Sequence, residues 1–282
     1  MKIIRSPEEM QQEALLLRGN GRTIGLVPTM GYLHEGHLSL IRLARERANA
    51  VVVSIFVNPT QFAPNEDLTR YPRDFVRDEA LCQSQGADMV FYPTATDMYL
   101  PDHSVYVVEE SLTSGLCGAS RPTHFRGVAT VVAKLFNLAL PQVAVFGEKD
   151  AQQLRVIKRM VRDLNFPVSI VPGPIVREPD GLAMSSRNVF LSTEERAQAL
   201  CLRRALDRAE ELFRQGERKT AELLRNMQEV MAQCPAARID YIECVDDESL
   251  KPVTEIGKPC LIAMAVFVGK TRLIDNTVLR AP

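Results

Sequence analysis

Residues 23–57 read TIGLVPTMGYLHEGHLSLIRLARERANAVVVSIFV, and this stretch decides the fold. Thr23–Val27 is short and apolar, which predicts a buried strand. Leu38–Ala48 carries apolar residues at helical spacing and arginines elsewhere, which predicts an amphipathic helix. Ala50–Val57 is an almost pure apolar run that ends at Asn58, as expected of a central parallel strand covered on both faces. Strand, helix and strand in this order predict a parallel sheet with crossover helices.

The same alternation continues beyond this stretch. Further elements are predicted at Phe75–Gln85, Met89–Tyr92, Val128–Leu140, Val143–Phe146, Ala151–Asn165 and Val168–Val171. We therefore expect residues 1–176 to form a Rossmann-like α/β domain with a doubly wound parallel sheet.

After Val176 the pattern changes. The predicted elements here are the polar loop Glu178–Leu191, helices over Thr193–Gln215 and Thr220–Ala232, and strands over Ile239–Val245, Leu261–Val268 and Arg272–Ile274. We expect residues 177–282 to form a smaller C-terminal α+β domain.

Composition limits the class of protein. The chain has 282 residues and a formal net charge of −1, so the basic excess of a nucleic-acid-binding protein is not evident. No apolar run approaches the ~18 residues needed to cross a bilayer. Six cysteines occur without a C-x-x-C pair, which argues against a disulfide framework or a zinc site. We expect a soluble, cytoplasmic protein with reduced cysteines and with neither nucleic acid nor membrane as a partner.

Two histidines mark the turn between the first strand and the first long helix. Ligands of open parallel sheets bind at the carboxyl ends of strands, and a helix N-terminus favours phosphate. His34 and His37 could hydrogen-bond phosphoryl oxygens and stabilise the charge of a leaving pyrophosphate, while Gly31 and Gly36 permit close backbone approach. A helix cap is one alternative. A zinc site is another, but metalloprotease histidines stand at i and i+4, whereas these stand at i and i+3.

Three more segments could carry chemistry. Gly147-Glu148-Lys149-Asp150 follows a predicted strand and could bring a cation to phosphate, or it could be a surface turn. Met184-Ser185-Ser186-Arg187 combines hydroxyls with a guanidinium, which suits a triphosphate, although a flexible interdomain loop is an equal alternative. Asn58-Pro59-Thr60-Gln61-Phe62 offers amides to a small polar substrate, or it forms an Asn-Pro turn. The segment from Arg121 to Gly127 adds two arginines and a histidine, as an anion contact or a solvated loop.

Together these segments closely resemble the pantothenate synthetase (pantoate–β-alanine ligase) family. Its blocks are matched in order by PTMGYLHEGH, SIFVNPTQF, YPR at 71–73, RPTHFRG, FGEKD, DGLAMSSRN and RLIDN at 272–276, over nearly the whole chain. The H-x-G-H turn is shared with the wider nucleotidylyl-transferase group, including class I aminoacyl-tRNA synthetases, whose K-M-S-K-S loop is similar in role to residues 184–187. Thr123 is a departure, since many members are expected to have glycine there.

The resemblance implies an enzyme that uses ATP and Mg²⁺ to join pantoate to β-alanine through a pantoyl adenylate, as a homodimer. It implies catalytic roles for His34, His37, Lys149 and Arg187, and pantoate contacts for Gln61 and Gln153. Asp78 is a candidate magnesium contact, and the C-terminal domain would act as a lid over the active site. The ATP-binding residues implied are Met30, Gly31, Tyr32, Leu33, His34, Glu35, Gly36, His37, Gly147, Glu148, Lys149, Asp150, Val176, Met184, Ser185, Ser186 and Arg187.

Two other functions stay open at this point. A nucleotidylyltransferase acting on a phosphate ester would share the histidine turn, but the NPTQF segment contains no cation for a phosphorylated acceptor. A nucleotide-sensing or RNA-binding module without catalysis is opposed by the balanced charge and by the complete set of phosphate-facing groups. No Cys/His or Ser/His/Asp spacing indicates a nucleophile, so chemistry by positioning and charge stabilisation is favoured.

Overall fold

The structure is a computed structural model that describes residues 1–64 and 66–280. The chain divides into two compact units. Unit 1 comprises Met1–Glu109, Arg121–Glu148 and Gln153–Pro174, and unit 2 comprises Glu110–Ser120, Lys149–Gln152 and Ile175–Pro282. Unit 2 therefore takes two short segments from the first 152 residues, in addition to the C-terminal part of the chain.

Unit 1 is built on a six-stranded parallel sheet. Its strands are β1 (Lys2–Ile4), β2 (Ile24–Thr29), β3 (Ala50–Ile55), β4 (Met89–Phe91), β5 (Val143–Gly147) and β6 (Ser169–Gly173), in the order β1-β4-β3-β2-β5-β6. The chain winds outward from β2 through β3 to β4, and then returns to place β5 on the other side of β2. This reversal confirms the predicted doubly wound fold and places its switch point at the carboxyl ends of β2 and β5.

The helices of unit 1 cover the sheet. They are α1 (Pro7–Gly19), α2 (Glu35–Arg47), α3 (Phe75–Ser84), the short α4 (Ala95–Met98), α6 (His124–Ala139) and α7 (Ala151–Asp163), with a 3₁₀ turn at Pro59–Gln61. The first two residues of α7 belong to unit 2.

Both faces of the sheet are buried because alternate residues of each strand meet different helices. Val27, Val53 and Val145 pack in one cluster with Ile41 and Ala44 of α2. The residues next to them in the three strands, Leu26, Val52 and Ala144, are also fully buried. Apolar residues on both faces explain why these strands have continuous hydrophobic sequences rather than alternating ones.

Unit 2 contains an antiparallel sheet of three strands in the order β7-β8-β9. Its elements are α5 (Leu116–Ser120), a 3₁₀ turn at Ser186–Phe190, α8 (Thr193–Ala199), α9 (Cys201–Arg214), α10 (Thr220–Ala232), β7 (Ala237–Asp246), β8 (Cys260–Val268) and β9 (Thr271–Leu279). Leu202 and Leu206 of α9, Met227 of α10 and Ile262 of β8 share its core. The predicted α+β fold class of the smaller domain is confirmed.

Three local features differ from the predicted elements. β1 and α1 were not predicted, although Ser6 caps α1 through a hydrogen bond from Glu9 N and Pro7 opens the helix. The helix predicted over Thr193–Gln215 is two helices, which meet at Leu200. α8 contacts β8, whereas α9 contacts α10 and β9 as well. Within residues 1–64 and 66–280, no helix is long and apolar enough to cross a membrane.

Gly127 brings α6 against the turn that follows β3. A Cβ at this position would lie 2.5 Å from the Thr60 carbonyl oxygen and 2.7 Å from Gln61 Cα. Both contacts are with backbone and are too short, so the turn and the helix could not keep their separation.

We expect Gly127→Ala to lower the free energy of unfolding by about 1–3 kcal/mol, as overpacking does. Gly19→Ala is a matched control, because an added Cβ there meets nothing within 4 Å. That control should leave the stability unchanged or raise it by about 0.4–1 kcal/mol. Urea denaturation measures both variants, and equal stabilities for the two would contradict the close approach of α6.

Candidate active site

The turn after β2 has an unusual backbone. Gly31 and Tyr32 both adopt positive φ, at 82° and 51°. A non-glycine residue in this left-handed region is unfavourable and needs support from its surroundings. Asp78 of α3 provides it: its Oδ2 accepts a hydrogen bond from Tyr32 N and its Oδ1 accepts one from Leu33 N, each at 2.7 Å.

The Asp78 side chain is 1% exposed. Burial raises the pKa of this carboxyl, and the hydrogen bonds from Leu33 and Tyr32 lower it in part. Because both oxygens accept backbone N–H groups, the carboxylate acts on the shape of the turn. The expected contact of Asp78 with magnesium stays a prediction.

The two histidines of the turn lie against each other, with ring centroids 4.1 Å apart. His34 N lies 3.3 Å from His37 Nδ1. An amide N–H can only donate, so His37 Nδ1 accepts, and the neutral imidazole carries its proton on Nε2. The ring therefore can present an N–H donor without being charged. Two imidazolium rings at this separation would repel each other.

The first turn of α2 contains the remaining residues of the motif. Glu35 begins the helix and forms an ion pair with Arg42. The Gly36 carbonyl accepts a hydrogen bond from Ser39 Oγ at 2.8 Å. The backbone N–H groups at a helix start, and its partial positive charge, suit an anion.

Amides follow β3 at the same edge of the sheet. Asn58 Nδ2 donates to Gln61 Oε1 at 3.2 Å and to the Gly127 carbonyl at 3.1 Å. Gln61 Nε2 contacts Met30 Sδ at 3.0 Å. The structure thus brings together the side chain of Met30, from the histidine turn, and the amide of Gln61.

Arg121 and His124 of the RPTHFRG segment hold the main chain at Gln61. Arg121 Nη2 donates to the Gln61 carbonyl at 3.2 Å, and His124 Nδ1 lies 2.9 Å from the same oxygen. Arg121 also forms two hydrogen bonds of 2.5 Å with the Glu66 carboxylate. Burial raises the pKa of Glu66, but Arg121 outweighs it, and the pKa lies below its usual value. Thr123 has helical φ and ψ, so threonine fits this turn without strain.

Gly147 and Glu148 end β5, the strand on the other side of β2. Glu148 N donates to the Gly173 carbonyl at 2.8 Å, which continues the ladder to β6. Gln153 is half-buried near the start of α7. Unit 1 therefore gathers the residues following β2, β3 and β5 at the carboxyl edge of its sheet, as their positions in the sequence predicted.

Unit 2 contains the other predicted phosphate contacts. Lys149 is half-buried and Asp150 is exposed. Asn276 Nδ2 of β9 donates to the Lys149 carbonyl at 2.9 Å. The neighbouring Asp275 accepts two hydrogen bonds from Arg177, at 2.7 and 2.9 Å, and is 2% exposed. Adjacent residues of one strand thus fix two segments that are far apart in the sequence.

The Met184–Arg187 segment is held on several sides. Met184 N donates to the Val176 carbonyl at 3.0 Å, and Ser185 Oγ accepts a hydrogen bond from Arg187 N at 3.2 Å. Ser186 is buried.

The residues flanking this segment are also joined by hydrogen bonds and ion pairs. Asn188 donates to Glu178 Oε1 at 3.0 Å, and Arg196 of α8 pairs with Glu178 and Asp180. These contacts give the predicted polar loop Glu178–Leu191 a defined conformation.

Several contributing residues escaped the sequence patterns. The role of Asp78 in the turn, the Tyr99 hydroxyl contact with Asn58, and the anchoring by Asp275 and Asn276 have no local signal. The predicted strand Arg272–Ile274 and the RLIDN block pointed toward β9, but neither gave these contacts. In the part of the chain that the structure describes, no group of three His, Cys, Asp or Glu side chains could hold a metal ion.

The fold and the turn define the class: an α/β protein whose histidine-bearing turn and helix start lie at the switch point of a doubly wound sheet, where nucleotides bind. The chain belongs to the pantoate-beta-alanine ligase family, whose model matches residues 2–278. It is 56% identical over 279 residues to the pantothenate synthetase of Thermotoga petrophila, covering 99% of this chain and 100% of that protein.

Solved structures of the same family share this fold. A pantothenate synthetase from Thermus thermophilus superposes with a TM-score of 0.94 at 48% identity, covering 98% of this chain and 99% of that one. A pantoate-beta-alanine ligase from Francisella tularensis, complexed with beta-gamma ATP and beta-alanine, superposes with a TM-score of 0.82 at 33% identity, covering 99% and 97%.

We expect Asp78→Asn to destabilise the turn. Asparagine keeps one acceptor for Leu33 N or Tyr32 N but turns an NH₂ group toward the other, so one buried N–H loses its partner. The free energy of unfolding should fall by about 1–3 kcal/mol, measured by urea denaturation. Asp74→Asn on the exposed start of α3 is the control, since asparagine caps helices about as well as aspartate. An unchanged stability of Asp78→Asn would refute the proposed support of the turn.

Proposed function

We propose that this chain condenses pantoate with β-alanine in an ATP-dependent reaction that passes through pantoyl adenylate and yields pantothenate, AMP and pyrophosphate. The observation that carries the proposal is the continuous match to this ligase family, which leaves no part of the site segments outside it. The ligase from Francisella tularensis is complexed with beta-gamma ATP and beta-alanine, which supports ATP and β-alanine as ligands of this chain.

The chemistry needs activation because oxide is a poor leaving group from a carboxylate. In the first step a pantoate carboxylate oxygen bonds to the α-phosphorus of ATP, and the bond from that phosphorus to the bridging oxygen breaks, so pyrophosphate leaves. In the second step the β-alanine amine bonds to the carbonyl carbon, the C–O bond to AMP breaks, and the amine loses a proton. Both displacements depend mainly on alignment and on stabilising negative charge.

In unit 1 we propose that phosphate oxygens bind to His34, His37 and the start of α2. The hydrogen bond from His34 N leaves His37 with its proton on Nε2, so that nitrogen can donate to an oxygen of the leaving pyrophosphate. Backbone N–H groups at the start of α2 add donors with fixed directions. Met30, Gly31, Tyr32 and Leu33 would lie along the nucleotide, with Asp78 acting through the turn.

In unit 2 we propose that Lys149 and Arg187 neutralise triphosphate charge and that Ser185 and Ser186 donate hydrogen bonds to the phosphates. Asn276 and Asp275 would keep their segments in place, because one binds the Lys149 carbonyl and the other the Arg177 guanidinium. Gly147, Glu148, Asp150, Val176 and Met184 complete the proposed ATP contacts.

Gln61 and Gln153 are the proposed pantoate contacts. Gln61 is 8% exposed and is held by four neighbours through its side chain and its carbonyl, so its position is defined before the substrate binds. Preorganisation of this kind lowers the cost of aligning the carboxylate with ATP.

The described residues do not fit a magnesium ion held by protein side chains alone, since they contain no three-ligand group and both Asp78 oxygens accept backbone N–H groups. We propose that Mg²⁺ would bind together with ATP, held by phosphate oxygens and water with at most one or two carboxylates, which is its usual mode of binding in nucleotide sites.

We further propose a cytoplasmic homodimer. The six cysteines are free thiols and all are buried, in keeping with a reducing compartment. Val105 and Val108 lie in an irregular stretch of unit 1 and are 77% and 58% exposed. These exposed apolar side chains are a surface that the proposed dimer contact would cover.

The proposed reaction predicts AMP formation from ATP, Mg²⁺, pantoate and β-alanine, with one AMP per pantothenate. Leaving out pantoate should abolish AMP formation, whereas leaving out β-alanine should still permit pantoate-dependent exchange of pyrophosphate into ATP. Coupled detection of AMP and isotope exchange measure the two. A folded sample that binds ATP and forms no AMP above background would exclude this function.

His37→Ala should slow pantoate-dependent exchange by roughly 100–1,000-fold, the usual loss when a donor to developing charge is removed. Glu46→Ala is the control on the same helix, because Glu46 is exposed at its far end. Circular dichroism and thermal melting should show that both variants fold. Exchange at the unmodified rate in His37→Ala would mean that this histidine has no part in charge stabilisation.

A further inference from the structure

We propose that Asn58 fixes the side-chain amide of Gln61 in a single orientation, so that Gln61 meets the acid substrate only as an N–H donor. Tyr99 is then a positioning residue for substrate selection, acting through Asn58. The inference rests on the proposed function, because it specifies how the proposed pantoate contact is made.

The orientation of Asn58 follows from two main-chain groups whose roles cannot change. The Thr60 N–H can only donate, and it lies 3.3 Å from Asn58 Oδ1. The Gly127 carbonyl can only accept, and it lies 3.1 Å from Asn58 Nδ2. Asn58 is 1% exposed. A reversed amide would place donor against donor and acceptor against acceptor, with no water to replace the lost bonds.

The orientation of Asn58 determines that of Gln61. Asn58 Nδ2 lies 3.2 Å from the terminal atom of Gln61, which must be the acceptor Oε1. Gln61 Nε2 therefore points the other way, where it contacts Met30 Sδ at 3.0 Å. A thioether sulfur is a weak acceptor, so an oxygen of the substrate can replace it with a gain in hydrogen-bond strength. Gln61 thus selects an acceptor oxygen of the acid.

Two side-chain hydroxyls also donate hydrogen bonds to Asn58 Oδ1 and so support the orientation of its amide. Tyr99 Oη lies 3.0 Å from Asn58 Oδ1, and Thr60 Oγ1 lies 2.9 Å from it. Burial raises the pKa of Tyr99 above its ordinary value, although its hydrogen bonds with Thr60 and Asn58 lower it in part. The hydroxyl consequently keeps its proton at neutral pH and remains a donor. Tyr99 is distant in sequence and acts on Gln61 through Asn58, and its hydroxyl also lies 3.4 Å from Thr60 Oγ1.

Gln61→Glu tests the donor role. Glutamate keeps the length of the side chain and an acceptor for Asn58, but it turns a carboxylate oxygen toward the acid. We expect the KM for pantoate to rise at least roughly 30-fold, from loss of the hydrogen bond and from repulsion. The KM for ATP should stay within about twofold, since unit 1 would hold its phosphates elsewhere. Pantoate-dependent ATP–pyrophosphate exchange measures both constants.

Tyr99→Phe tests the relay. Removing one of the donors to Asn58 should raise the KM for pantoate roughly 3–10-fold while kcat and the KM for ATP change little. Tyr92→Phe is the matched control, because the Tyr92 ring stacks on Phe75 with centroids 4.0 Å apart and phenylalanine keeps that stack, so this variant should behave as the unmodified enzyme. Equal KM values for pantoate in the two tyrosine variants would exclude Tyr99 as a positioning residue.

Thermal melting identifies any variant that fails to fold. If Gln61→Glu does not fold, Gln61→Met replaces it, since methionine has similar volume and lacks the donor, and the KM for pantoate should again rise. A folded Gln61→Glu or Gln61→Met enzyme with a KM for pantoate within about threefold of the unmodified value would overturn the inference alone. An unmodified enzyme that does not use pantoate would overturn the proposed function, and the inference with it.

Discussion

The buried carboxylate of Asp78 is the interaction on which the turn between β2 and α2, with its two histidines, depends. β2 ends at Thr29 and α2 begins at Glu35, so a few residues must redirect the chain. They do so through two consecutive residues with left-handed backbone conformation, Gly31 and Tyr32. This conformation is energetically unfavourable for Tyr32, because it is not a glycine. Two hydrogen bonds of 2.7 Å from one carboxylate stabilise it. The positions of both histidines relative to β2 follow from this turn.

In unit 2, β9 holds two segments that are distant in sequence. Its proposed phosphate-binding groups come from two places in the chain, next to Lys149 and next to Arg187. β9 supplies neighbouring residues whose side chains leave opposite faces of the strand. Asp275 takes the Arg177 guanidinium with both oxygens, and Asn276 takes the Lys149 carbonyl. Loss of either partner is costly for a buried carboxylate that makes two hydrogen bonds with a guanidinium. Through Asp275 and Asn276, β9 therefore fixes both the segment at Arg177 and the segment at Lys149.

Much of the fold was predictable because its signals are local. The helix over Thr220–Ala232 was predicted with its observed bounds, and the strand at Ala50 was recognised from its apolar run. β1 was missed because three residues that pair with distant Met89–Phe91 carry no local signal. α1 has a serine cap and a proline at its start, but it buries only two residues fully and therefore carries a weak apolar stripe. The break at Leu200 has neither glycine nor proline to mark it in the sequence.

The candidate site was predictable where its residues form sequence blocks and unpredictable where a partner acts from elsewhere. Four of its fixed points join a side chain to a main-chain group: Asp78 with Tyr32 N, His37 with His34 N, Asn58 with Thr60 N, and Asn276 with the Lys149 carbonyl. Main-chain donors and acceptors cannot exchange roles, so each contact determines the orientation, and in His37 the tautomer, of the side chain that meets it. That orientation depends on tertiary structure and leaves no pattern in the sequence. Blocks such as HEGH and NPTQF therefore identify the groups that are proposed to face the substrates, whereas the direction in which each group points is set by the fold.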